Sequence, residues 1–229
     1  MRKLFIIGLL LQFHFSFCQH FEFGPDLGAS GTNIVNSNIT QGRAVIGKAL
    51  WSPTAGVSLL YYFKSKNNDV SYGIHFKYAN SQRGSISEVN SVNQIKFNSD
   101  SYNLTWRILA NGDEEVGIYA DLGLGYNTFN TKNVYHGTID QLDAFPKLDT
   151  TLKMGTNEVT FLYALGINKL FLNNTLVFYA EFSGDAGIST INKESGSYRT
   201  QSLGFATGLR YVLINKKPKK NVKPTNSKQ

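Results

Sequence analysis

Cysteine is almost absent from this 229-residue chain, which contains one, Cys18. A single thiol cannot form an intramolecular disulfide or a metal site built from several cysteines. Proline is also scarce, and no apolar run after residue 18 approaches the ~20 residues that a membrane-spanning helix needs. The composition therefore excludes a disulfide scaffold, a cysteine-rich metal domain and a helical membrane protein.

The first 18 residues have the order of a secretory signal peptide. Residues 2–3 are basic, residues 4–13 are apolar, and residues 16–18 place Ser and Cys three positions and one position before a cleavage site. The sequence predicts cleavage after Cys18 and export of the rest of the chain. Lipidation of Cys18 is an alternative, although phenylalanine stands at positions 15 and 17, where a lipidation site usually carries Leu and then Gly or Ala.

The net charge of +7 lies outside the part of the chain that is predicted to fold. Two of the 23 basic residues precede position 19 and six are lysines of the tail, so residues 19–213 carry 15 basic and 16 acidic residues. This balance excludes a basic nucleic-acid-binding surface. Residues 214–229 are rich in lysine and lack acidic residues, which predicts a disordered periplasmic tail. Two interpretations of the tail stay open: a solvated segment that aids solubility, and a salt-sensitive contact with anionic lipid or cell-wall polymer.

Apolar and polar residues alternate with a period of two along most of the chain, as they do in β-strands with one apolar face. Eight such segments occur: Phe21–Ala29, Val57–Phe63, Val70–Tyr78, Tyr102–Ile108, Val116–Tyr126, Val159–Ile167, Leu176–Phe182 and Leu203–Leu213. The connections alternate between short segments (65–69, 110–114 and 172–174) and longer ones (31–53, 81–94, 129–156 and 188–198). The pattern predicts an all-β fold, an eight-stranded antiparallel transmembrane β-barrel over residues 19–213 with short periplasmic turns and longer extracellular loops.

The charged residues inside these segments, together with Asp185 just beyond the seventh, all share the polar face of their strand. They are Glu22, Asp26, Lys77, Arg107, Asp121, Glu181, Asp185 and Arg210, and His75 lies on the same face. A soluble β-sandwich or lipocalin-like barrel would carry its charges on the outside instead. In a membrane barrel, Lys or Arg facing lipid at mid-depth costs ~2–4 kcal/mol, so these nine residues are predicted to form a polar network in the lumen.

Three segments resemble small bacterial outer-membrane β-barrels of the OmpA/OmpX type, a porin-like family. They are 21–28 (FEFGPDLG), 119–126 (YADLGLGY) and 203–211 (LGFATGLRY). The resemblance covers residues 19–213 and implies location in the bacterial outer membrane, with outer-membrane lipid as the partner. One departure is that sixteen residues follow Leu213, whereas such chains often end on an aromatic residue of the last strand.

The leading functional hypothesis is a non-enzymatic outer-membrane barrel with a plugged lumen and a structural or surface-interaction role. A narrow porin-like channel, a lipid-modifying enzyme centred on His75, and an accessory subunit of an export machine are the alternatives. No catalytic group, cofactor or metal is expected. Because the first and last strands of a closed barrel must pair, Glu22 and Arg210 are expected to approach within salt-bridge range.

Overall fold

The computed structural model of the chain describes residues 18–36, 44–63, 70–86, 94–110, 116–130, 135–136, 156–172, 174–191 and 198–215. These ranges contain no helix long and apolar enough to cross a membrane. The signal peptide of residues 1–18 lies almost entirely outside them, as does the tail beyond residue 215. Both assignments stay predictions.

The described residues form nine strands. They are β1 (Cys18–Asn36), β2 (Ala44–Phe63), β3 (Val70–Ile86), β4 (Gln94–Ala110), β5 (Val116–Asn130), β6 (Tyr135–His136), β7 (Asn157–Phe171), β8 (Leu176–Gly187) and β9 (Tyr198–Asn215). The two-residue β6 pairs only with the edge of β4. The other eight pair antiparallel in the ring β1-β2-β3-β4-β5-β7-β8-β9, which closes through β1 and β9. The predicted eight-stranded antiparallel barrel is confirmed.

The barrel has two different ends. We call one end the turn end, because the connections 63–70, 110–116 and 171–176 and the two termini of the barrel are there. The four other connections are at the opposite end, which we call the loop end. The β7–β8 turn is tight because Leu172 and Asn174 have φ values of 48° and 66°, and the Thr175 amide donates to the Phe171 carbonyl at 3.2 Å. Asn is the residue that tolerates this left-handed conformation most readily after Gly.

The strands are longer than the sequence indicated, so the predicted loop boundaries were wrong. Residues 31–36 and 44–53 belong to β1 and β2, and residues 81–86 belong to β3. The last strand ends at Asn215, two residues beyond the predicted end of the barrel at Leu213. The alternation that located the strands is weaker toward the loop end, because several outward side chains there, such as Asn98 and Asn130, are polar.

An apolar belt surrounds the outside of the barrel. Its most exposed members include Leu27, Trp51, Val57, Leu104, Ile118, Leu122, Leu165, Phe205 and Leu213. On β5 the belt runs from Val116 to Tyr126, and every second residue between them faces outward. Ten residue steps of ~3.4 Å on a strand tilted by ~40° give a height of about 26 Å, close to the ~25 Å apolar band of outer-membrane barrels.

The polarity of the two faces reverses at the loop end. The inward side chains Ile34, Leu50, Ile95, Phe97 and Phe129 are buried, and the rings of the last two are 4.8 Å apart. The outward neighbours of these residues include the amides Asn33, Asn98 and Asn130, together with Trp51 and Lys96. We call these five inward residues the apolar plug; buried polar side chains, among them Ser85, Ser99 and Asn127, share this end of the barrel interior.

Candidate functional site

The structure places all nine residues of the expected lumen network on the inner face. Eight of them are almost completely buried, and the side chain of Lys77 is 15% exposed. Their inward direction follows from strand alternation, because each lies an odd number of residues from a neighbour that faces outward. Strand register then divides them into a central cluster and a turn-end cluster, with Asp185 apart in a third.

The central cluster is built around Arg107 of β4. Its Nε and Nη2 donate to Asp121 Oδ1 and Oδ2, both at 2.7 Å, and Nη2 also lies 3.3 Å from Glu181 Oε2. The guanidinium carbon stacks 3.6 Å from the centroid of the Tyr119 ring. Asp121 is directly opposite Arg107 in the β4–β5 register, so the bidentate pair is a cross-strand contact.

Lys77 and Tyr119 complete the coordination of Glu181. Lys77 Nζ lies 3.4 Å from Glu181 Oε1, and the Tyr119 hydroxyl donates to Oε2 at 3.1 Å. Lys77 belongs to β3 and Glu181 to β8, which are four places apart in the ring of eight strands. This ion pair therefore crosses the full diameter of the lumen.

The turn-end cluster joins the first and last strands. Arg210 of β9 approaches Glu22 of β1, with Nη1 and Oε2 3.5 Å apart, as closure of the barrel required. Its Nε donates to Ser58 Oγ at 3.1 Å, and that hydroxyl lies 3.5 Å from Asp26 Oδ1. The guanidinium also stacks on Tyr179, 3.8 Å from the ring centroid.

The third cluster, near the loop end, contains two charged residues that the sequence reasoning missed. Arg83 binds Asp185 through two hydrogen bonds of 2.9 and 2.6 Å, and it donates to Thr200 Oγ1 at 2.9 Å. Glu158 accepts from the Thr200 amide at 2.7 Å and from its hydroxyl. Arg83 was assigned to a loop and Glu158 stood just before a predicted strand, although continued alternation from Lys77 would have placed Arg83 inside.

His75 lies beside the central cluster, with Nδ1 3.0 Å from Asp121 Oδ2 and 3.2 Å from Arg107 Nη2. Its Nε2 has no hydrogen-bond partner among the described residues. No serine or threonine hydroxyl bonds to His75 within the described strands, so they assemble no Ser-His-acid triad. In the described strands the polar contacts of His75 are with Asp121 and Arg107.

Three metal-ligand side chains meet here, which the sequence analysis did not expect. Ligand atoms of His75, Asp121 and Glu181 all lie within 4.8 Å of one another. Groups of the protein already occupy the coordination sites that a metal ion would need. Both Asp121 oxygens bond to Arg107, and both Glu181 oxygens bond to cationic or hydroxyl donors. A divalent ion would have to displace a guanidinium and an ammonium group, so the donor set does not fit a metal.

A cavity of about 100 Å³ separates the central cluster from the loop-end cluster. Lys77, Arg83 and Asp185 line it together with many small residues. The apolar plug lies beyond it toward the loop end. Toward the turn end the lumen is filled by the buried group Leu60, Tyr62, Leu109, Tyr119 and Tyr179.

Comparison with known proteins finds likeness only among solved structures. No protein-family model and no curated protein matches the chain. Several of the solved structures that it resembles are outer-membrane proteins.

Three of these solved structures show the range of sequence identity, coverage and structural similarity. Ail of Yersinia pestis is 16% identical, with coverage of 83% of this chain and 99% of Ail and a TM-score of 0.39. Neisserial surface protein A is 14% identical, with coverage of 83% and 96% and a TM-score of 0.44. OprG from Pseudomonas aeruginosa is 9% identical, with coverage of 86% and 97% and a TM-score of 0.45. The fold assignment rests on the strand pairing of this chain itself.

Proposed function

We propose that this protein is an integral outer-membrane barrel with a sealed lumen and a structural or surface-interaction role. The main support for the proposal is that the same strands carry an apolar belt on the outside of the barrel and paired charges on the inside. Export through the predicted signal peptide and a loop end facing the cell exterior belong to the same proposal.

The belt supports insertion into lipid. In the described residues, 32 large apolar side chains are exposed, and they form a continuous band on every strand of the ring. The largest apolar patch on a typical soluble monomer is only ~300–600 Å². A complete apolar band would drive aggregation in water, whereas in a bilayer it faces acyl chains.

The ion pairs support a sealed lumen. The Lys77–Glu181 and Arg83–Asp185 pairs both join β3 to β8 across the diameter, at two different depths. An eight-stranded barrel has an interior just wide enough for side chains to fill. The apolar plug adds a further barrier to ions, since it offers no polar group in exchange for their hydration.

Reconstitution tests both parts of the proposal. The refolded protein, expressed without residues 1–18, should float with phosphatidylcholine vesicles and migrate faster unheated than boiled on a gel. In planar bilayers the same preparation should give no ion conductance above the protein-free baseline. Recovery in the soluble fraction would contradict membrane insertion, and steady single-channel conductance would favour the narrow-channel alternative.

Cysteine labelling tests the orientation. The chain lacks a thiol after Cys18, so single cysteines placed in the 37–43 and 137–150 segments and at Asn111 report without background. A membrane-impermeant maleimide should label the first two in whole cells and should not label the third. The reverse result would show that the barrel is inserted with its turn end outside.

A further inference from the structure

A regular set of polar side chains lies on the outside of the barrel just beyond the belt. The register aligns Tyr78, Tyr102 and Tyr126 in one row across β3, β4 and β5. The next row toward the loop end contains Asn80, Asp100, Thr128 and Asn157, and the row after it contains Gln82, Asn98 and Asn130. We call the seven residues of these last two rows the amide array.

Hydrogen bonds between neighbouring strands hold the array in place. Asp100 Oδ1 accepts from the Tyr78 hydroxyl at 2.8 Å and from Asn80 Nδ2 at 2.9 Å. Gln82 Nε2 donates to Asn98 Oδ1 at 3.4 Å, and Asn157 Nδ2 donates to the Tyr126 hydroxyl at 3.1 Å. A primary amide offers two donors and an acceptor oxygen, so each exposed amide keeps further polar capacity for an outside partner.

The array belongs to one side of the barrel. On the other side, the outward residues Trp51 of β2 and Leu203 of β9, and Ile188 directly after β8, are large and apolar. Gln201 of β9 is an exposed amide on that side, and its register partner Asn33 of β1 is a half-exposed one. A general boundary between lipid and water would give the same mixture all round, so the concentration of amides on β3, β4, β5 and β7 points to a partner there.

We propose that the amide array and the tyrosine row beneath it bind the neutral sugar headgroup of an outer-leaflet glycolipid. This inference rests on the proposed membrane insertion, because the belt fixes the depth of the array. The array continues directly from the belt through the tyrosine row, which corresponds to an interfacial girdle. A lipid whose acyl chains contact Leu104 and Leu124 therefore has its headgroup at the level of Asn80 and Asp100.

The chemistry of the array favours sugar hydroxyls over phosphate. Its two rows contain no lysine or arginine, and a carboxylate stands near their centre, whereas phosphate sites use cationic donors. A hydroxyl both donates and accepts, so it can bond to an amide and to Asp100 at once. The exposed rings of Tyr102 and Tyr126 give the apolar face of a sugar ring a surface to pack against.

Energy transfer from tryptophan measures lipid enrichment beside the array. The chain has two tryptophans, so Trp51→Phe leaves Trp106, which lies on β4 below the array, as the donor. The acceptors are dansyl-acyl digalactosyl diacylglycerol, dansyl phosphatidylcholine and dansyl phosphatidylglycerol, each at the same low fraction in phosphatidylcholine vesicles. Transfer to the galactolipid should exceed transfer to phosphatidylcholine severalfold. Asn80→Ala/Asn98→Ala should remove this excess.

Controls separate this inference from the proposed function. The single variant Asn98→Ala is matched by Gln201→Ala, an exposed amide on the other side, which should keep the full excess. All preparations are first checked for vesicle flotation and heat-modifiable migration, and failure there contradicts membrane insertion itself. If the protein inserts but energy transfer is equal to all three lipids, the sugar inference is wrong. Strongest transfer to phosphatidylglycerol, or an unchanged excess in the double variant, also overturns it.

Discussion

Replacement of Arg107 by methionine tests whether the lumen network is a dry, paired core. The substitution removes two hydrogen bonds of 2.7 Å to Asp121, the 3.3 Å contact with Glu181 and the stacking on Tyr119. Both carboxylates stay buried, at 2% and 6% exposure. Breaking a buried ion pair from one side costs ~3–5 kcal/mol, because a charge is left without compensation. We expect a loss of about that size in the free energy of unfolding.

The assay is reversible urea unfolding of the barrel in vesicles, followed by tryptophan fluorescence and by gel mobility. Lys169→Met is the matched control, since Lys169 is an exposed cation on the outer face near the turn end. Exposed charges contribute ~0–1 kcal/mol, so this variant should unfold close to the wild type. Arg107→Lys should lie between them, because it keeps the charge but loses the planar bidentate geometry.

A double variant distinguishes pairing from simple loss of volume. Arg107→Met/Asp121→Leu removes both partners, so it should be more stable than the sum of the two single losses predicts. If Arg107→Met lowers the free energy of unfolding no more than Lys169→Met does, water screens the charges of the central cluster as it screens a surface ion pair. The reasoning for a sealed lumen would then be refuted, and the narrow channel would become the better hypothesis.

Three further predictions concern other parts of the barrel. A Cβ at Gly166 would lie 2.3 Å from Tyr119 Cζ, so Gly166→Ala should lower the unfolding free energy by ~1–3 kcal/mol in the same urea assay. Leu122→Arg in the middle of the belt should cost ~2–4 kcal/mol and Thr128→Arg in the amide array ~0–1 kcal/mol; equal costs would contradict the depth assigned to the belt. Deletion of residues 216–229 should leave heat-modifiable migration unchanged, and loss of folding would show that the tail belongs to the barrel.

The sequence predicted the number of strands, their direction and the face that each charged residue occupies. It could do so because lipid imposes one rule on every strand inside the belt: no charge may face outward at mid-depth. Lys77, Arg107 and Glu181 could therefore be assigned to the lumen before their partners were known. The pairing of Glu22 with Arg210 followed from closure alone, since the first and last strands must be neighbours.

Which charged residues pair across the lumen depends on the stagger between strands. No local sequence pattern determines that stagger. Nothing near Lys77 in the sequence identifies Glu181, 104 residues away, as the group across the lumen. Arg83 and Glu158 were missed for a different reason. They lie where the strands leave the belt, and the outward neighbours there are Gln82 and Asn157, so the apolar half of the alternation is lost.

Strand β4 shows how the sequence nevertheless encodes where the belt ends. Near the turn end, Trp106 faces outward and the adjacent Arg107 faces inward; near the loop end, Asn98 faces outward and the adjacent Phe97 faces inward. The alternation continues along β4, but outward side chains such as Asn98 are polar, and the apolar Phe97 joins the buried Ser99 and Ser101 inside. Tyr102 lies between the part of β4 whose outward residues are apolar and the part whose outward residues are polar. At the loop end the buried side chains of Ile34, Ile95 and Phe97 therefore lie beyond the charged network. The change of surroundings that the proposed membrane depth requires thus also accounts for apolar side chains inside the loop end.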